Sequence, residues 1–203
     1  MDTNFFFRGL IIGFVIAAPV GPIGVLCIHR TLTEGKIHGL ISGLGAATAD
    51  AIYGSIAALG LTFISSFLIE QQLWFRIIGA VFLCGLGIRT IFSKAAKKPS
   101  AVNGQGLAAN YGSTFFLTLM NPMTILAFAA VFAGLGITSS HHGFAGLLIA
   151  GVFTGSCIWW TLLSSAAGLF RQKISHDNLI WLNRISGTII MFFGLLIILT
   201  LEI

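Results

Sequence analysis

Charge is what this sequence lacks most. Only 8% of its 203 residues are Asp, Glu, Lys or Arg, while 56% are hydrophobic; a soluble domain carries roughly 25% charged residues. Eleven basic and six acidic side chains cannot cover a chain of this length with a water-facing surface, so a soluble globular protein is excluded and a polytopic membrane protein fits. Cysteine is scarce too. Cys27, Cys84 and Cys157 lie singly in apolar runs; their spacing makes neither a zinc motif nor a disulfide framework, and they read as packing residues. No GxxxxGK[ST] phosphate loop is present, so the chain carries no ATP motor of its own. His29, His38, His141, His142 and His176 all fall in polar connectors. That leaves no buried His–carboxylate or Ser–His pair for an enzyme, and the adjacent pair at 141–142 is a weak metal motif. No cofactor or metal is expected. The net charge of +5 comes from loops between apolar runs, which is the pattern of membrane orientation and not of nucleic-acid binding.

What is present is six apolar segments, at about residues 5–28, 39–68, 74–92, 113–137, 144–170 and 179–201, each near the ~20 residues that cross a hydrocarbon core. The opening "MDTNFFFRGL" begins acidic and reads as the start of the first span, not as a removed signal peptide. The expected fold is all-α, six transmembrane helices in one domain over 1–203. Residues 93–112, "SKAAKKPSAVNGQGLAANYG", read as a solvated linker between halves at 5–92 and 113–201. The halves resemble each other: Gly43, Arg76 and Gly79 recur 108 positions later as Gly151, Arg184 and Gly187, and Pro22 and Pro122 lie 100 positions apart. With three helices per half, the second half must insert upside down, which is the inverted repeat of secondary transporters. Arg30, Lys36, Arg89, Lys94, Lys97, Lys98, Arg171, Lys173 and Arg184 belong to connectors one, three and five or to adjoining helix ends, against Arg8 and Arg76 on the opposite side. The nine should face the cytoplasm, with both termini outside.

The first segment, "GFVIAAPVGPIGVLCI", holds Pro19 and Pro22 near its middle with Gly21 and Gly24 beside them. Each proline deletes an i→i−4 hydrogen bond, which frees the carbonyls of Val15 and Ala18, and disfavours helix in the residue before it. Broken backbone at membrane depth is tolerated only where protein or a water-filled cavity satisfies it. "MNPMT", with Asn121 and Pro122, repeats the interruption in the fourth segment, and paired interruptions point to a binding site. Asp50 is the one acidic residue deep in a span; the other five lie in connectors or near the termini. Eleven residues past Gly39, it lies about 16 Å along the helix, near the midplane of a ~30 Å core. An unpaired charge there costs roughly 2.5–3.5 kcal/mol on insertion scales. A carboxyl at that depth faces a cavity, finds a partner or takes up a proton, and it suits a substrate ammonium, an exchanging proton or both in turn. Ala46, Ala47 and Gly54 share its face, and Thr48 and Tyr53 add hydroxyls nearby.

"APVGP", "GLGAATADAIYG" and "NPMT", taken in order along the whole chain, resemble the lysine-exporter type (LysE, homoserine/threonine efflux) translocators. Members carry proline–glycine–proline where this chain has Pro19-Val20-Gly21-Pro22. The resemblance implies proton-driven export of amino acids or small related solutes across a bacterial plasma membrane. It also implies roles for Pro19, Gly21, Pro22, Asp50, Asn121 and Pro122. The expected partners are an amino-acid substrate, protons and lipid, with small-residue faces that permit a homodimer. Two other readings are a cation or metal-ion exporter of the same superfamily and a non-transporting membrane scaffold. The orientation is directly testable. In an otherwise cysteine-free chain, Lys97→Cys should react with a membrane-impermeant maleimide only in inside-out vesicles, and Glu70→Cys only in intact cells; the reverse pattern would overturn it.

Overall fold

In lipid every backbone polar group must be satisfied within the protein, and the apolar segments of this chain do so as helices. The structure is a computed structural model describing residues 3–58, 67–93, 104–135, 145–171 and 176–200. Its helices are α1 (Thr3–Ala17), α2 (Pro22–Thr33), α3 (Lys36–Ala58), α4 (Gln72–Ile91), α5 (Gly104–Leu119), α6 (Pro122–Leu135), α7 (Ala145–Phe170) and α8 (His176–Leu199). A further helical turn covers residues 67–70, and no strand occurs among the described residues. Among the described residues, four helices are long and apolar enough to cross a membrane: α3, α4, α7 and the stretch Asn178–Leu199 of α8. Helices α1 and α2 make a fifth candidate, bent by 82° at the break between them.

The first and fourth apolar segments are therefore each two helices, interrupted where proline stands. Part of the second, residues 59–66, lies outside the described residues. The linker expected over 93–112 is shorter than its composition suggested, because α5 begins at Gly104. Asn110, one polar residue of that stretch, is satisfied by tertiary contacts. Asn110 is 7% exposed and places its amide 2.9 Å from Glu34 Oε2 and 2.8 Å from His38 Nδ1.

Between membrane helices, lipid removes most of the hydrophobic driving force, and close backbone approach at small residues takes over. A Cβ added at Gly9 or Gly13 would strike the backbone of Leu148 and Val152, and one added at Gly151 or Gly155 would strike that of Phe6 and Leu10. The matching ascending numbers mean that α1 and α7 run parallel. In the same way α3 and α5 run parallel: Thr114 Oγ1 donates to the Ser42 carbonyl at 2.7 Å, and Tyr53 Oη to the Leu119 carbonyl. By contrast α3 and α7 are antiparallel, with Gly43 under Trp160 and Gly54 against Val152. So are α4 and α8, where Gly87 and Gly187 face each other's carbonyls and Arg76 Nη2 donates to the Thr200 carbonyl at 2.8 Å. Two buried apolar clusters result. One gathers Ala46, Ala47, Leu83 and Trp160; the other gathers Ile12, Tyr53, Leu148 and Val152. Along α3, Asp50 falls between the residues that belong to each.

Overpacking a tight core costs typically 1–3 kcal/mol. Gly13→Ala and Gly155→Ala should each lower the melting temperature in detergent by about 2–12 °C at the ~2–4 °C per kcal/mol expected for this chain length. Gly85→Ala, whose added Cβ meets nothing within 4 Å, should not lower it.

Candidate functional site

The site starts from the break after α1. Ala18 still donates to the Phe14 carbonyl at 3.0 Å, and the Gly21 amide then closes on the Pro19 carbonyl at 2.9 Å. Proline carries no amide hydrogen, so the helical partners of the Val15 and Ala18 carbonyls are missing. Pro22 opens α2 at its first position with Gly21 as an extended N-cap, and no side chain caps the end. Proline suits that position because its missing N–H had no helical partner to lose. The following amides, of Ile23 and Gly24, lie in the first turn, where helical acceptors are absent. The second break repeats this. The Asn121 carbonyl accepts from Thr124 and Ile125 at 3.1 and 3.2 Å, and Asn121 Nδ2 donates to Thr124 Oγ1 at 3.0 Å.

The two breaks meet Asp50. A cavity of about 50 Å³ is lined by Pro19, Gly21, Pro22, Gly24, Asp50 and Asn121, together with Thr118, Thr124, Trp160 and apolar groups from α1 and α2. Both half-helix N-termini border it, so the positive ends of two helix dipoles face a cavity that also holds a carboxyl. Asp50 is 3% exposed. Ser156 Oγ donates to its Oδ2 at 2.7 Å, and Trp160 Nε1 donates to Ser156 Oγ at 3.1 Å. The donor chain reaches Asp50 from α7, across an interface that Gly43 leaves open for the indole. No group of three His, Cys, Asp or Glu able to hold a metal ion occurs among the described residues.

Six of the sequence-predicted residues, Pro19, Gly21, Pro22, Gly24, Asp50 and Asn121, are thus brought together, and Pro122 begins the helix beside them. Thr48 and Tyr53 are not on the cavity wall. Thr48 Oγ1 donates to the Leu44 carbonyl of its own helix at 2.9 Å. Tyr53 reaches the Leu119 carbonyl and stacks on Phe128 at 5.7 Å, bracing the α5–α6 break. Sequence reasoning passed over Ser156 and Thr118 as functional positions. The 108-residue offset between the halves sets Ile158 opposite Asp50, within a turn of Ser156, and was the available signal.

The histidines need a correction. His29 and His38 do not lie in connectors; they sit in α2 and α3, 7% and 3% exposed. His29 Nε2 lies 2.8 Å from Asn183 Oδ1, and His38 Nδ1 lies 2.9 Å from Glu34 Oε2. A His–carboxylate contact therefore exists between the buried His38 ring and the partly exposed Glu34, although it lies at the Lys36 end and not in the cavity.

The sequence model of the LysE type translocators matches residues 14–201. The chain belongs to the LysE type translocator family. Among curated relatives, it is 30% identical over 199 residues to a Bacillus subtilis (strain 168) protein named "Putative amino acid efflux protein YcgF", covering 94% of this chain and 93% of that one. It is 24% identical over 193 residues to the Synechocystis "Uncharacterized membrane protein slr1627", covering 92% of each. It is 26% identical over 177 residues to the Escherichia coli (strain K12) "Uncharacterized membrane protein YahN", covering 84% of this chain and 78% of that one. No solved structure matches. Membership makes this LysE type translocator a transport protein, not an enzyme.

In this translocator the Ser156 hydroxyl is the one donor from α7 to the buried carboxyl among the described residues. Leaving a buried polar group unsatisfied costs about 1–3 kcal/mol, so Ser156→Ala should lower the melting temperature measurably. Thr154→Val, removing a hydroxyl bonded only to its own helix at the Ala150 carbonyl, should stay within about 0.5 kcal/mol.

Proposed function

We propose that this translocator is a secondary active exporter that moves an amino acid, or a small solute of amino-acid type, out of a bacterial cytoplasm in exchange for protons. One observation carries the reading: the buried carboxyl of Asp50 shares a cavity with two proline-broken helix ends. A zwitterion presents a carboxylate and an ammonium on one carbon. The open first-turn amides of Ile23 and Gly24 and the N-terminal end of α6 suit the carboxylate, since helix N-termini favour anions. Asp50 suits the ammonium, and when no ammonium is bound it suits a proton. Exclusive use of one carboxyl by substrate and proton in turn is the simplest way to couple their opposed movements. The name of the Bacillus subtilis relative supports the same solute class.

The cavity is far below the ~300–1,000 Å³ of sites that take up ligands, so a loaded site needs the surrounding helices to part. An architecture of six spans in two inverted repeats supplies such a motion. The helix directions support it: α3 and α7, which correspond in the two halves, are antiparallel, as are α4 and α8. With α1 parallel to α7 and α5 parallel to α3, the first helices of the halves oppose each other too. The rocking units, however, are not the sequence halves. Glycine contacts weld α1 to α7 and hydrogen bonds join α3 to α5, so each unit draws on both halves. In the inner membrane, the Lys36 end of the molecule faces the cytoplasm and the termini lie outside. A divalent cation fits the site less well, because it takes six or more oxygens and one carboxylate supplies two.

Purified protein in amino-acid-loaded liposomes should export solute when protons are offered outside, with matching proton uptake. Asp50→Asn should lose proton-driven accumulation by at least tenfold. Normal pumping against a gradient by that variant would overturn the coupling role.

A further inference from the structure

A buried charged group lies beyond the cavity, toward the Lys36 end of α2. Arg30, in α2, is six residues beyond the cavity-lining Gly24, about 9 Å along the helix axis. Its side chain is 7% exposed. Its guanidinium donates to Ser42 Oγ at 2.9 Å, to the Asn110 carbonyl at 2.9 Å and to Ser113 Oγ at 2.7 Å. These partners belong to α3 and α5, the pair that moves as one unit in the reading above. Every one is neutral, and no acidic side chain bonds Arg30 among the described residues. Glu34, the nearest carboxylate in sequence, is held by His38 and Asn110 instead.

We propose that Arg30 latches a gate at the Lys36 end, pinning the hinged half-helix α2 to the α3–α5 pair and shutting the Asp50 cavity from that face. The inference rests on the transport reading and adds a moving part to it. Three features carry it. First, α2 is short and joined to α1 through the 82° bend at Pro19–Pro22, so it can swing as a rigid rod. Second, its end is tied on two sides: Arg30 holds α3 and α5, and His29 holds Asn183 of α8, which itself donates to the Ser93 carbonyl at 3.0 Å. Third, the two half-helices are not packed alike. Among the described residues α2 is seated firmly on α3, α7 and α8, whereas its counterpart α6 touches α3, α1, α4 and α5 more lightly. The molecule is thus drawn shut around α2.

The choice of partners makes the latch releasable. Each bond is charge-assisted on the donor side, but neutral acceptors add no ion-pair attraction, and a guanidinium on hydroxyls and a carbonyl exchanges those acceptors for water once the helices part. Burial without such replacement would leave the charge uncompensated, so closing and bonding go together.

The test uses the full chain without its native cysteines and with Thr118→Cys as a reporter in the cavity wall. A membrane-impermeant methanethiosulfonate is applied to inside-out and to right-side-out vesicles, and Lys36→Cys in a parallel sample marks which face is which. Arg30→Gln should speed labelling from the Lys36 face at least fivefold without speeding it from the other, and Arg30→Lys should fall between. Should Arg30→Gln fail to fold, Ser113→Ala, which removes one acceptor, should still speed it about twofold. An unchanged rate in the folded variants, or an equal rise from both faces, would overturn the latch. Labelling needs no transport. A rise confined to the Lys36 face in a protein that exports no amino acid leaves the gate and removes the transport reading; intact export with unchanged labelling removes the gate alone.

Discussion

The constraint on which this structure depends is the backbone's need for hydrogen bonds where no water is available. Helices meet it cheaply, and Pro19, Pro22 and Pro122 deny it at chosen points. A proline-opened carbonyl in hydrocarbon costs free energy unless something polar lies near. The chain answers by turning both breaks toward one cavity and by placing Asp50 on its wall. The glycines near the breaks serve the same end: Gly21 takes the extended conformation that starts α2. The local cost of the break and the usefulness of the site have one cause.

Around that cavity, glycine does the work that apolar burial does in soluble proteins. The α1–α7 and α3–α5 contacts put backbone against backbone, leaving no room for a methyl group at Gly13, Gly45 or Gly155. Such interfaces are stiff, and they cross between the two halves of the sequence. The α3–α7 interface between the two pairs is different. It carries Asp50, Ser156 and Trp160 in a hydrogen-bonded row, flanked by an apolar cluster on each side. Rigid pairs meeting at a polar seam are the arrangement in which a change at one carboxyl alters how two bodies fit.

Polar side chains elsewhere follow a simple division. Thr31, Thr33, Ser55 and Thr90 return their hydroxyls to the carbonyl four residues back, which satisfies them inside their own helix and ties them to nothing else. Among the described residues, side chains that reach across helices cluster at Asp50 and at the Lys36 end around Arg30, Asn110 and His38, with Tyr53 and Arg76 making further crossings to Leu119 and Thr200. That end was the least legible part of the chain. Arg30 and His38 sit within a few positions of Lys36, Glu34 and Gly35, and Asn110 sits in the polar stretch 93–112, so their polarity looked like the solvation of connectors. In the fold they are buried because α5 begins early enough to cover them. Gly35, at φ 121°, turns the chain tightly enough to bring α3 back against α2.

By itself the sequence determined the class of protein, the apolar segments, the two interrupted helices and the singular position of Asp50. Each follows from local chemistry: charge content, run length, the missing amide of proline and the cost of a carboxyl in lipid are properties of a residue and its near neighbours. Only the tertiary structure decided that Asp50 meets the two breaks and not some other polar group. It also decided that Thr48 bonds to its own helix, that Tyr53 braces a break from outside the cavity, and that Ser156 lies 106 positions away yet 2.7 Å from the carboxylate. A hydroxyl's partner depends on which helix stands opposite and in which register, and that is set by glycine contacts spread over the whole chain. Periodicity tells which residues share a face; it does not tell what the face meets.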